Sequence, residues 1–149
     1  MNDTGNNSLP EPKTDQEKLE EYRRIYEELL GFVPPRIQAR TDLLSRLDPE
    51  ILAMQEEMRK HCMYPPVFDT KTAQLMLFGM LLITLRDAAK LHGIAARRAG
   101  ATWEEMQAVV NLAFLFGGLS VANRGAQYIQ EIAEMEAEQE EAGGTGDQA

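Results

Sequence analysis

The stretch Ala73–His92, AQLMLFGMLLITLRDAAKLH, decides the fold of this chain. Its first part, 73–85, is almost continuously apolar and contains a single glycine, Gly79. The run is too short to cross a bilayer, which takes about 20 residues. A helix that is apolar on every face must be covered on all sides. We therefore expect it in a helical core and partly between subunits of an oligomer.

The pattern becomes amphipathic after this run, at residues 85–87. The change predicts a bend or short break, followed by a second helix that continues to Ala99. Thr102-x-x-Glu105 has the spacing of a capping box and predicts the start of another helix. That helix is expected to end at Gly117-Gly118, and a last helix to run from about Leu119 to Glu136.

The N-terminal third has its own helix signals. Thr14-x-x-Glu17 predicts a capping box and a helix over about 15–30. A second helix is predicted over about 35–46, after the extended Pro34-Pro35 pair. Asp48-Pro49 marks the start of a third helix, on which Cys62 has the spacing of a small core residue.

No stretch of the sequence shows the alternation of a β-strand, so the predicted fold class is all-α. We expect one helical domain over residues 14–140. The polar ends, 1–13 and 141–149, are predicted to be disordered tails.

Charge and motif content exclude several classes of function. The formal net charge of −9 argues against general nucleic-acid binding. Cys62 is the only cysteine, so neither an intrachain disulfide nor a cysteine zinc cluster can form. The dinucleotide, P-loop, serine-hydrolase and zinc-protease motifs do not occur. We expect no metal and no cofactor, no membrane association, and a cytoplasmic location because the N-terminus lacks a signal peptide.

The middle of the chain is locally basic. Residues 71–98 contain five lysines and arginines against the single acid Asp87. Such a region can attract a small anion, or it can simply be a solvated helix face.

Several short motifs resemble the carboxymuconolactone decarboxylase family, which also contains the alkylhydroperoxidase-D-like proteins. They lie in the family's order and spacing over roughly residues 20–135. They are Leu30-Gly31-Phe32-Val33-Pro34-Pro35, Leu47-Asp48-Pro49-Glu50, Asp69-x-Lys71-Thr72, His92, Arg98-Ala99-Gly100-Ala101-Thr102-x-Glu104-Glu105 and Phe116-Gly117-Gly118-x-x-x-Ala122-Asn123-Arg124. The resemblance implies a helical bundle of the alkylhydroperoxidase-D-like type and a homo-oligomer, often a trimer or hexamer.

The same resemblance separates two branches of the family. The peroxidase-like branch has a Glu and, later, Cys-x-x-Cys-x-x-His. Here His92 remains, but the cysteine positions hold Arg86 and Ala89 and the Glu position holds Gln74. Peroxide reduction needs an attacking thiolate and a resolving thiol. We therefore expect no peroxidase activity and a decarboxylase-like lyase that acts on a small carboxylated lactone or related anionic organic acid.

The resemblance implies a role for each candidate site residue. His92 is the candidate proton donor, and Gln74 is a candidate neutral donor to an oxyanion. The candidate carboxylate ligands are Arg86, Lys90 and Arg124. The candidate walls of a dry pocket are Leu82, Leu85, Phe114 and Phe116.

Structural alternatives remain open for these residues. His92 can be a structural histidine that packs against another helix. Arg86 and Lys90 can form a surface charge cluster. Arg124 can belong to a structural ion pair. For the whole chain, the alternative is a non-catalytic small-molecule-binding or structural oligomeric protein on the same scaffold.

Overall fold

The computed structural model describes residues 8–144. This part of the chain is helical and contains no β-strand. The helices are α1 (Gln16–Leu30), α2 (Pro35–Leu47), α3 (Pro49–Met63), α4 (Thr70–Ile83), α5 (Ala88–Arg98), α6 (Trp103–Gly117) and α7 (Leu119–Gly144). The all-α prediction is confirmed. Within the described residues, no helix is both long and apolar enough to span a membrane.

The last helix is longer than the sequence predicted. α7 continues past Glu136 to Gly144, so residues 141–144 of the predicted tail are helical. Residues 136–142 are all alanine, glutamate or glutamine, which are good helix formers, and they carry the helix to the two glycines at its end. The rest of that predicted tail, 145–149, lies outside the described residues.

The chain divides into two compact units, Met1–Met63 and Tyr64–Ala149. The single domain over 14–140 stays a prediction. In the first unit, part of the predicted N-terminal tail is held by hydrogen bonds. The Lys13 N–H donates to the carbonyl of Ser45 at 2.7 Å, and Arg46 donates to the carbonyl of Pro10 at 2.8 Å. Residues 1–7 of that tail lie outside the described residues.

The first unit combines a small apolar core with a buried polar network. Leu19, Tyr22 and Leu52 form the core. In the network, the buried carboxylate of Glu56 accepts hydrogen bonds from the Tyr26 hydroxyl at 3.2 Å and from Arg40. Desolvation, the largest cause, raises the pKa of Tyr26. The network therefore joins α1, α2 and α3.

Two local predictions in this unit are wrong. Thr14 forms no capping box, because α1 takes Asp15 as its N-cap and that residue makes no side-chain cap hydrogen bond. Cys62 is exposed rather than in the core. The buried residues of α3 are Leu52, which lies in the apolar core, and Glu56, which pairs with Arg40.

The second unit packs four helices around one core. α4 contacts α5, α6 and α7, and α7 also contacts α5 and α6. A methyl group added at Gly93 of α5 would lie 2.8 Å from Ile132 Cδ1 and 3.1 Å from Met106 Cε. One added at Gly125 of α7 would lie 2.6 Å from Val110 Cγ2. The absence of a side chain at these positions lets the helices approach closely.

Side-chain caps fix the starts of two of these helices. The Asp69 carboxylate accepts from the Thr72 N–H at 2.7 Å. Thr102 and Glu105 exchange both hydrogen bonds of a capping box, at 3.1 and 2.8 Å. The capping box predicted at the start of α6 is confirmed.

The predicted break between α4 and α5 is a turn with a strained backbone. Leu85 has φ 53, within the left-handed region, and it is the only non-glycine residue with positive φ among residues 8–144. A leucine in this conformation costs about 1–2 kcal/mol because its Cβ approaches the following carbonyl oxygen. The Arg86 N–H donates to the Leu81 carbonyl at 3.0 Å and holds the turn closed.

Replacing Leu85 with glycine is expected to raise the free energy of unfolding by about 1 kcal/mol, since glycine adopts positive φ without this strain. Leu85→Ala keeps the Cβ and serves as the control. Urea denaturation of both variants checks the prediction. An equal effect of glycine and alanine would show that side-chain contacts, rather than backbone strain, dominate at this turn.

Candidate functional site

A buried glutamine and a half-buried histidine form the centre of the site. Gln74 on α4 is fully buried, with 0% of its surface exposed. Its Oε1 lies 2.7 Å from Nδ1 of His92 on α5. The two candidate catalytic residues therefore lie in direct hydrogen-bond contact.

The two residues meet because α4 packs against α5. Gln74 shares the buried face of α4 with Phe78 and Leu82, which follow at intervals of four residues. α5 presents the small buried residues Ala89 and Gly93 on either side of His92 along the chain. Small side chains let two helices approach closely, and this brings the His92 ring to the Gln74 amide.

The hydrogen bond determines the tautomer of the neutral His92 ring. An amide oxygen only accepts hydrogen bonds, so Nδ1 must be the donor to Gln74 Oε1. In the neutral ring, Nε2 then carries the lone pair. Nε2 accepts a proton when the ring is neutral and donates one when the ring is an imidazolium.

Among residues 8–144, the other end of the Gln74 amide has no hydrogen-bond partner. Nε2 of Gln74 is buried and unpaired. A buried donor without an acceptor costs roughly 1–3 kcal/mol. Such groups are rare in folded proteins and call for a specific explanation. An oxygen atom of a bound molecule would satisfy this donor directly beside His92.

Two of the three candidate carboxylate ligands are engaged in ion pairs. Lys90 Nζ donates to Glu131 on α7 at 2.6 Å, and this hydrogen bond is the main reason that the pKa of Glu131 is lowered. Lys90 and His92 are two residues apart on α5, so their side chains leave the helix in nearly opposite directions. The pairing turns Lys90 towards α7.

Arg124 takes part in a three-membered cluster. Its Nη1 lies 3.2 Å from the Asp87 carboxylate and 3.2 Å from the Tyr128 hydroxyl, which also donates to Asp87 at 3.2 Å. Tyr128 is a buried member of this cluster that the sequence analysis missed. The four-residue spacing of Arg124 and Tyr128 on one helix was the available signal.

Arg86 lies in the turn between α4 and α5 and is exposed. It is the candidate cation nearest in sequence to the strained Leu85. Its placement leaves the guanidinium accessible to an anion from solution.

The four apolar side chains predicted to wall a dry pocket differ in their exposure in the single chain, and the pocket stays a prediction. Leu82 is fully buried, but Leu85 and Phe114 are 44% and 40% exposed and Phe116 is 83% exposed. α6 directs the two phenylalanines outward because its buried face consists of Met106, Val110 and Ala113. Of the four, only Leu82 is a core residue.

A separate groove of about 590 Å³ runs between α4 and α6. Neither Gln74 nor His92 lines it. Within residues 8–144, no three His, Cys, Asp or Glu side chains cluster in a way that could hold a metal ion.

These features define an all-α protein with a histidine–glutamine pair between two helices. Residues 49–144 match the model of the carboxymuconolactone decarboxylase family, and the chain belongs to that family. The resemblance noted in the sequence is thereby confirmed. No curated protein and no solved structure matches the chain.

Proposed function

We propose that this protein is a lyase of the carboxymuconolactone decarboxylase type that acts on a small carboxylated lactone or a related organic acid. The observation that carries the proposal is the buried Gln74 amide, whose Oε1 holds His92 and whose Nε2 has no partner in the described part of the chain. One side chain thus orients a titratable group and offers a hydrogen-bond donor beside it.

Loss of CO₂ from such a substrate breaks a carbon–carbon bond and leaves the electron pair in an extended enolate. Negative charge develops on the lactone carbonyl oxygen. We assign the N–H of Gln74 Nε2 as the donor to that oxygen, because a donor aimed at developing charge stabilises the transition state.

The enolate then needs a proton. The imidazolium form of His92 holds Gln74 through Nδ1–H and presents Nε2–H to the substrate. Transfer of the Nε2 proton to carbon completes the product and leaves neutral His92, which solvent reprotonates. In the overall reaction, one carboxylate and one proton are consumed, and one CO₂ and one C–H bond are formed.

A neutral residue at position 74 suits an anionic substrate. A carboxylate there would pair with the imidazolium and repel the carboxylates of the ligand. With glutamine, the substrate itself supplies the counter-charge. Arg86, which is exposed in the neighbouring turn, is the proposed ligand for a second carboxylate.

The second candidate function is non-catalytic binding of a small molecule on the same scaffold. It is favoured by the ion pairs of Lys90 and Arg124, which occupy two of the three predicted carboxylate ligands. A panel of lactone di- and tricarboxylates separates the two functions. Proton NMR of the His92 ring detects binding, and CO₂ release detects turnover. Binding without turnover of any bound compound favours the second function.

The variant Gln74→Glu tests the role of the amide. We expect turnover to fall roughly 10²–10³-fold, because an oxyanion donor is replaced by a negative charge. The pKa of His92 is expected to rise above its wild-type value, since a carboxylate at Nδ1 stabilises the imidazolium.

NMR titration of the ring protons measures this change, with the exposed His61 as an internal reference. Gln130→Glu introduces the same charge at an exposed position of α7 and is the matched control. An unchanged His92 titration in Gln74→Glu would contradict the hydrogen bond on which the proposed function depends.

A further inference from the structure

A hydrogen-bonded cluster on α7 holds the residue that precedes α5. Tyr128 is a buried tyrosine, 4% exposed, and the proposed reaction does not use it. Its hydroxyl donates to Asp87 Oδ1 at 3.2 Å and accepts from Arg124 Nη1 at 3.2 Å. Arg124 Nη1 also lies 3.2 Å from the same oxygen of Asp87. The cluster therefore fastens the start of α5 to α7.

Asp87 occupies the N-cap position of α5 but does not cap the helix. Aspartate at an N-cap usually accepts a hydrogen bond from a backbone N–H of the first helical turn. Here the side chain makes no such bond, and its carboxylate is directed to Tyr128 and Arg124 instead. A residue that departs from a local rule of helix formation indicates a requirement elsewhere in the structure. We look for that requirement in the turn that Asp87 completes.

The turn before Asp87 is strained and needs to be held. Leu85 has φ 53, and a strained backbone persists only where the surrounding structure fixes it. The Leu85 side chain is 44% exposed, so its packing supplies little of the restraint. On the α4 side, the Arg86 N–H donates to the Leu81 carbonyl at 3.0 Å. On the α5 side, the Asp87 carboxylate ties the turn to α7.

Arg86 lies between Leu85 and Asp87, at the centre of this turn. Its side chain is exposed, and the proposed function assigns it to a carboxylate of the substrate. If Leu85 relaxed from φ 53 to an ordinary value of about −60, the chain after it would run in a different direction. The Arg86 guanidinium would move with the backbone. The strained turn therefore determines where this cation is presented.

We propose that Tyr128 is a positioning residue, which holds Asp87 so that the strained turn presents Arg86 to a carboxylate of the substrate. Tyr128 acts through Arg86 and does not touch the substrate itself. Arg124 shares the hold, because its guanidinium contacts both Tyr128 and Asp87. The inference rests on the proposed function for the ligand of Arg86, whereas the hold on the turn can be measured without any substrate.

Tyr128→Phe removes the hydroxyl and keeps the buried ring, so the variant is expected to fold. The KM for a lactone with two carboxylates should rise about tenfold, the effect of one lost hydrogen bond to a charged group. kcat should stay near the wild-type value, because a loss of uniform binding raises KM alone. The KM for an analogue with one carboxylate should not change. Tyr22→Phe, at a buried tyrosine of the first unit, should alter neither constant.

Rescue by glycine separates positioning from a general loss of stability. In Leu85→Gly the turn adopts positive φ without strain, so it keeps its shape when the hydroxyl is lost. Adding Tyr128→Phe to Leu85→Gly should therefore leave KM almost unchanged. An equal rise of KM in the wild-type and Leu85→Gly backgrounds would overturn the proposal, because the hydroxyl would then not act through the turn.

Hydrogen exchange of the Arg86 amide tests the hold without a substrate. This N–H is bonded to the Leu81 carbonyl, so opening of the turn exposes it to solvent. We expect its exchange to be about tenfold faster in Tyr128→Phe, but not when Leu85→Gly is also present. Unchanged exchange in Tyr128→Phe would overturn the proposal. Faster exchange in a protein that binds no lactone carboxylate would support the hold on the turn and contradict the proposed function alone.

Discussion

Replacing His92 with alanine is expected to lower turnover by roughly 10²–10⁴-fold, the usual contribution of a positioned general acid or base. Nδ1 is held on Gln74 Oε1 at 2.7 Å, and the proposed function assigns the proton exchange with the substrate to Nε2. Steady-state rates of CO₂ release measure the loss.

Two further variants sharpen this test. His92→Gln keeps a hydrogen-bonding side chain without a transferable proton, so substrate binding should survive better than turnover. His61→Ala removes an exposed histidine and should have no effect on turnover. Wild-type turnover by folded His92→Ala would exclude the proposed proton transfer. Loss of the folded state in that variant would instead make His92 a structural residue.

Replacing Phe78 with alanine is expected to lower the free energy of unfolding of the second unit by about 3–5 kcal/mol. Phe78 is fully buried, one turn after Gln74 on α4, and its ring lies 3.5 Å from the position of a Cβ at Gly93. The loss combines the transfer of a large apolar group with the cavity it leaves.

Fluorescence of Trp103 during urea denaturation reports on this unit, because it is the only tryptophan of the chain. Phe114→Ala makes the same chemical change at a residue that is 40% exposed. It should cost less than half as much. Equal losses for the two variants would show that the core around Phe78 does not determine the stability of the unit.

Local signals in the sequence predicted the helices well. The capping box at Thr102 depends on residues three apart, and the break after Leu85 follows from a change in hydrophobic pattern, so both could be predicted without tertiary information. Thr14 has the same spacing to Glu17 but forms no capping box. Spacing alone does not decide which of two adjacent polar residues caps a helix.

The site depended on information that the sequence lacks. The resemblance indicated Gln74 and His92 one by one, but their contact depends on the packing of α4 against α5. Lys90 pairs with Glu131, 41 residues away in the sequence, and Arg124 pairs with Asp87, 37 residues away. No rule of helical spacing predicts such pairs. Cys62 was misassigned because α3 buries Leu52 and Glu56, and a buried glutamate does not follow the usual hydrophobic pattern.

The glycine contacts of the second unit also bear on how such a site can diversify. Val110 leaves no room for a Cβ at Gly125, and Gly93 is also tightly surrounded. The distances between these helices therefore depend on two glycines that have no side chain. Substitutions at Gln74, Arg86 or Ala89 change the charge and the nucleophilicity of the site. They do not affect Gly93 or Gly125. One rigid frame can therefore support chemically distinct sites, with new reactions arising from a few side chains while the backbone stays the same.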